Sequence, residues 1–339
     1  MSNEDKPTRP APTSKALVPR LSDEYATAIV EYVRKGRASS TRAAYKEDWG
    51  RFVIWCKDGG WQSQPAEPET IAAYAIYLAR DRGHSVRYLR RAMAAIGWAH
   101  TAVGIDPPPT HHKAVKAVLE GVIREHGKPP NKRDALSFQD LLRLLSQCPA
   151  DTLTGKRDRA LLTLGYFAAL RRSELVALDR KDVREIDGGL RVVLQRSKTD
   201  QKGDGDTKGV KERKDEADPV KLLREWLAAS EIKKGPLFRP INRHDQLSEK
   251  RLTGRSVALI IKRTCKRAGL DPDNYSGHSL RRGFATSAAR GGADGLIIRK
   301  TTKHKSDRMV NEYVDEGTLL GRHAQDYIGI KDDDTNKMR

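Results

Sequence analysis

Four stretches of this chain set ionisable side chains inside apolar, fold-forming frames: ALRRSEL at 169–175, QRSKTD at 195–200, SGHSLRRG at 276–283 and HKSDRMVNEYVDEG at 304–317. Charged groups rarely enter such frames unless they are paired or used. Arginine is a permanently ionised, forked donor matched to phosphate or carboxylate, and imidazole titrates near neutrality. A tyrosine can be a nucleophile, although it is more often a packed aromatic with a satisfied hydroxyl. Each residue taken alone has an ordinary structural explanation. Arg171 lies three residues before Glu174, so the two can form a helical ion pair. His278 and Arg281 share one helix face at the same spacing, as a surface histidine and a solvated arginine would. His304 and Tyr313 stand nine residues apart across a helix start at Ser306-Asp307.

The elements that must position these residues are mostly helical. Tyr45, Trp49, Phe52, Val53 and Cys56 recur at helical spacing in 41–56, with Arg42, Lys46 and Arg51 elsewhere on the wheel. Pro65 and Pro68 punctuate a loop and open a second helix. Ser85 caps a third, running to about Val103 and carrying Arg87, Arg90 and Arg91 on its outer side. A fourth covers 110–124. The run HGKPPNKRD at 126–134 has linker composition. Beyond it, Ser137 caps a helix and 153–170 forms a strongly apolar one. Two β-prone runs, 183–186 and 190–195, flank Asp187-Gly188-Gly189, a hairpin turn. The polar stretch 197–218 reads as a hairpin loop plus strand, and helices resume at 220–230, 253–269, 280–290, 294–302 and 307–314, with one more after Gly317. The expected fold is therefore mainly α in two domains: a helical bundle, then a mostly helical mixed α/β domain with a small antiparallel sheet.

Charge narrows the partner. Among 339 residues, 64 Lys plus Arg outweigh 45 Asp plus Glu, a formal net charge of +19. The surplus is spread over both halves, about +7 in 1–134 and about +12 in 135–339, so both face a polyanion. Nucleic acid is the default. Cys56, Cys148 and Cys265 are isolated, which argues against a disulfide framework or zinc cluster and suits a reducing cytoplasm. No apolar run approaches the ~20 residues needed to span a membrane. The Pro-rich residues 1–20 lack a secretion signal's apolar core and are expected to form a disordered basic arm.

In order and spacing, ALRxSEL, a lysine in a hairpin, HxLRR and H-x8-Y together resemble the tyrosine recombinase (phage integrase) family. The run WCKDGGWQSQPAEPETIAAYAIYLARDRGHSVRYLRR is similar to the core-binding domain of a member of that family, so the resemblance spans about Arg20 to Ile330. At the position before the nucleophile helix, where some members carry Trp, this chain has His304. The resemblance implies domains at 21–125 (core-binding, SAM-like) and 135–339 (catalytic), joined by the 126–134 linker, with a C-terminal helix exchanged between protomers. It also implies transesterification on DNA. Tyr313 attacks the scissile phosphorus, Arg171 and Arg281 hold its oxygens, and His278 and His304 bind phosphate or manage the tyrosine proton. Lys198 protonates the departing 5′-oxygen, with Lys202, Lys208 and Lys211 as competitors in the same stretch, and Glu174 orients its neighbours. Arg42, Lys46, Arg87, Arg90 and Arg91 are candidate DNA contacts. The partners implied are duplex DNA at a specific site and further copies of the chain in a tetrameric synapse, with no membrane or small-molecule substrate. A phosphotyrosyl bond conserves the phosphodiester energy, so no cofactor, metal or ATP is expected. Two rivals from other classes make different demands: a DNA-binding regulator on this scaffold would not need all five of Arg171, His278, Arg281, His304 and Tyr313, and a metal-dependent nuclease would need clustered acidic ligands.

Overall fold

The computed structural model describes residues 38–127, 133–195, 206–303 and 311–314. The basic arm, Lys198, His304 and the helix expected after Gly317 lie outside the described residues. The chain divides into two compact units, Met1–Pro130 and Asn131–Arg339, with the division inside the 126–134 stretch.

Among the described residues, four α-helices build the first unit: α1 (Ser39–Asp58), α2 (Pro68–Ile76), α3 (Val86–Thr101) and α4 (Lys113–His126). Pro68 supplies the first turn of α2, where a missing N–H costs nothing, and the Ser85 hydroxyl accepts the Tyr88 N–H at the start of α3. The fourth helix starts later than its periodicity suggests, because Pro109–His111 first forms a separate 3₁₀ turn. On α3, Leu89, Ala92, Met93, Ile96 and Ala99 form the buried stripe, which meets Phe52 and Cys56 of α1 and Ile71 and Tyr74 of α2. Inside this apolar seam Asp48 is buried, and the Arg91 guanidinium binds its carboxylate in a fork at 2.7 and 3.1 Å.

Among the described residues, the second unit packs α5 (Phe138–Ser146), α6 (Leu153–Phe167), α7 (Arg172–Ala177), α8 (Pro219–Ser230), α9 (Gly254–Arg267) and α10 (Ser279–Arg290) around one core, while α11 (Gly295–Thr302) packs through Ile298 on Ala285 and Ala289 of α10 in a second cluster. Ser137 and Asp140 form a capping box on α5, and the Thr152 hydroxyl caps α6. The three strands β1 (Val183–Ile186), β2 (Gly189–Leu194) and β3 (Asp206–Lys211) form an antiparallel sheet in that order. Asp187-Gly188 is a two-residue hairpin loop, with Gly188 at φ 71°. Two details depart from expectation. The helix projected over 153–170 stops at Phe167 and turns through Ala169, which sits in the left-handed region at φ 47°. The polar stretch contains a strand whose inward positions are Lys208 and Val210, so one lysine enters the core side of the sheet.

Candidate active site

The turn after α6 delivers Arg171 to the N-terminus of α7. Glu174, only 2% exposed, accepts the Arg171 backbone N–H at 2.9 Å and its guanidinium at 2.5 Å. Side chain and backbone of Arg171 are thus fixed by one carboxylate, which limits where the rest of the guanidinium can point. Arg281, on the first turn of α10, is 4% exposed and donates to the carbonyls of Ala169, at 2.7 Å, and Thr302. Lys208 of β3, 5% exposed, donates to the carbonyls of Ala168 and Thr301, each at 3.0 Å.

Lys208 and Arg281 thus hold adjacent carbonyls in the same two turns. Burial first, and then neighbouring Arg171, lower the Arg281 pKa to about 10, opposed by Glu174, Tyr313 and Asp206. Burial and then Arg281 lower Lys208 to about 8, with Glu174 and Asp206 opposing. Three cations in electrical contact around one buried carboxylate make a site in which an arriving anion is stabilised. Tyr313 lies within that electrostatic reach: an ionised phenol there would favour the charged form of Arg281. Its ring is half-buried in a helical turn at 311–314, packed with Val314 against Ala285 and Ala289 of α10 and Ile298 of α11. His278 caps α10 one turn before Arg281 and is exposed. Two arginines, a lysine, a carboxylate and a phenol from four separated stretches therefore share one electrostatic neighbourhood, an arrangement suited to phosphoryl transfer.

A model of the phage integrase family matches residues 134–318. The chain belongs to the phage integrase family. As a tyrosine recombinase of that family it is an enzyme that breaks and rejoins DNA. It is 37% identical over 295 residues to an integrase/recombinase xerD homolog of Selenomonas ruminantium, covering 86% of each chain. It is 28% identical over 282 residues to the recombinase cre of Escherichia phage P1, covering 78% of this chain and 80% of that one. The fold is shared with the Tn1549 transposon integrase in complex with transposon right end DNA (TM-score 0.59, 16% identity, 87% of this chain and 96% of that one). It is also shared with a lambda integrase dimer bound to a COC′ core site (TM-score 0.56, 17% identity, 89% and 77%).

Among the candidates from sequence, the structure brings Arg171, Glu174, Arg281 and Tyr313 into one electrostatic neighbourhood. His278 stands at the head of the same helix as Arg281. Lys198 and His304 lie outside the described residues, at 196–205 and 304–310. Lys208 was only one lysine among several in its stretch. The signal for it is its place two residues before Val210, since alternate strand positions share a face. The five candidate DNA contacts sit on α1 and α3. Lys46, Arg87 and Arg90 are exposed and Arg42 is half-buried. Arg91 differs from the other four: although 44% exposed, its guanidinium is engaged by buried Asp48 and lies 5.1 Å from the Tyr88 ring centre.

Proposed function

We propose that the chain recombines duplex DNA at a specific site through a 3′-phosphotyrosyl intermediate formed by Tyr313. The Tyr313 oxygen attacks the scissile phosphorus, the bond from phosphorus to the 5′-oxygen breaks, and the phenolic proton passes to an imidazole, His278 or His304. Lys198 returns a proton to the departing 5′-oxygen. Rejoining runs the same steps backwards with another strand's 5′-hydroxyl, which needs neither metal nor ATP because bond energy is held in the tyrosyl ester. Arg171 and Arg281 bind the non-bridging oxygens as charge builds on them, and removing one such donor costs about 10²–10³ in rate. Glu174 aims Arg171. The observation that carries this reading is that buried Arg281 holds the Ala169 carbonyl, two residues before Arg171, while Tyr313 packs on Ala285 and Ala289 of the Arg281 helix, so one helix stands between the phosphate ligands and the nucleophile.

The first domain, 21–125, contacts the duplex through Arg42, Lys46, Arg87, Arg90 and Arg91, and the catalytic domain, 135–339, joined to it by the 126–134 linker, carries the chemistry. Four copies assemble on two sites, exchanging the segment after Gly317, and the reaction takes place in the cytoplasm. No helix among the described residues is long and apolar enough to cross a membrane. The test is trapping: a nicked suicide substrate carrying the site, in EDTA, should give a covalent complex on a denaturing gel with the native chain and none with Tyr313→Phe. A complex that persists in Tyr313→Phe, or cleavage that requires Mg²⁺, refutes the mechanism.

A further inference from the structure

Two cations bracket the same two turns of chain. Lys208 takes the carbonyls of Ala168 and Thr301, and Arg281 takes the next carbonyl along each turn, Ala169 and Thr302. One turn ends α6 and leads through Leu170 into Arg171. The other ends α11 and leads through Lys303 to His304 in the sequence. Both reverse direction through a left-handed non-glycine residue, Ala169 at φ 47° and Lys303 at φ 55°. Such residues cost on the order of 1 kcal/mol and persist where their surroundings hold them. A further tie joins β3 to the same helix end, because the Lys303 ammonium pairs with Asp206 at 3.3 Å.

An ammonium at Lys208 is costly to keep. It is buried, its recorded acceptors are neutral carbonyls, and Arg281 beside it adds repulsion, against which Glu174 and Asp206 supply opposite charge and Arg171 more of the same sign. An apolar side chain would fill the position without that cost. What it could not supply is N–H donors directed at two separate turns. The pairing of Val192 with Lys208 fixes where the sheet delivers those donors.

We propose that Lys208 is a positioning residue for strand cleavage, locking the end of α11 to the turn before Arg171 and so setting where Tyr313, packed on Ile298 of α11, meets the phosphate. It acts through the two turns and Arg281. The proton for the departing oxygen comes from elsewhere. This inference rests on the phosphate site of Arg171, Arg281 and Tyr313 proposed above.

The experiment is single-turnover formation of the covalent complex by the full chain on nicked DNA at saturating protein. Lys208→Met fills the same space without donors. It should slow cleavage of bound DNA by roughly 10- to 100-fold, the scale of a misplacement of about 1 Å, while half-saturation of DNA binding moves less than about 2-fold. Lys208→Arg, which can span two carbonyls, should restore most of the rate. Lys208→Gln guards against a methionine variant that fails to fold, because its amide can still donate to one carbonyl, and it should also be slow. On DNA with a bridging 5′-sulfur at the cleaved phosphate, whose thiolate leaves without protonation, the Lys208→Met loss should remain and the Lys198→Ala loss should vanish. Rescue of Lys208→Met by sulfur would make Lys208 the proton donor and overturn the proposal. Native rates in both Met and Gln variants, or a loss confined to DNA affinity, would overturn it as well. If instead the native chain forms no complex, or Tyr313→Phe forms one, the phosphate site fails first.

Discussion

Replacing Glu174 by glutamine keeps the shape of the side chain and removes one charge. The carboxylate is 2% exposed and the Arg171 side chain 16%, so water can replace little of what is lost. The glutamine oxygen can keep the Arg171 backbone N–H, now bonded at 2.9 Å, but its amide then meets the guanidinium donor to donor where a 2.5 Å bond existed. Removing one partner of a buried ion pair costs about 3–5 kcal/mol. The retained hydrogen bond offsets roughly 1 kcal/mol of that, leaving a loss of about 2–4 kcal/mol. For a unit of about 200 residues each kcal/mol lowers the melting temperature by roughly 2–4 °C, so the drop should be about 4–16 °C by calorimetry. Arg171, Arg281 and Lys208 also lose the buried counter-charge they share, and Arg171 loses its aim. Single-turnover cleavage of saturated DNA should slow by about 10- to 100-fold at temperatures where the variant is folded. A variant that melts within about 1 °C of the native chain and cleaves at its rate would show that the pair neither stabilises the fold nor orients Arg171.

Gly283→Ala would put a Cβ 1.8 Å from the Leu136 carbonyl oxygen, a backbone atom. The α10 helix must then shift, which costs about 1–3 kcal/mol and displaces Arg281 two residues away, so both the denaturant midpoint and the cleavage rate should fall. Arg90→Ala should make the salt dependence of DNA binding shallower by about 0.9 in log–log slope at unchanged stability. Arg91→Ala should in addition lower stability by about 1–3 kcal/mol, a value discounted because Arg91 is 44% exposed, since it strands buried Asp48. Because Lys208 titrates near 8 when folded and at 10.5 unfolded, the unfolded chain binds more protons between those values. The stability of the native chain relative to Lys208→Met should therefore rise with pH across that window, by up to about 1.4 kcal/mol per unit, and stay flat below it. A difference that falls with pH in denaturant titrations would contradict the burial of a charged lysine.

Where local chemistry decides structure, the residues declared it. Ser85, Ser137 and Thr152 cap helices as their types require, and Asp187-Gly188 turns the hairpin. Arg171 with Glu174 was legible as a pair from spacing alone. The rest depends on contacts between distant stretches. Nothing local ends α6 at Phe167, because Ala169 is an ordinary helix former and is held left-handed among acceptors for Arg281, 112 residues on. Lys208 looked solvated because its stretch is so polar, yet strand alternation turns it inward with Val210. Asp48 and Arg91 lie 43 residues apart, so periodicity, which placed Arg91 on the outer side of its helix, could not show that the two meet.

The brackets on the 168–169 and 301–302 carbonyls tie competence to completion of the chain. A polypeptide still emerging from the ribosome, or clipped before Thr301, offers Lys208 and Arg281 only one of their two pairs of acceptors. Its crowded positive centre lacks half of the carbonyls that Lys208 and Arg281 bind, and Tyr313 has yet to arrive. Such copies keep the exposed Lys46, Arg87 and Arg90 of the first unit while their second unit stays unfinished.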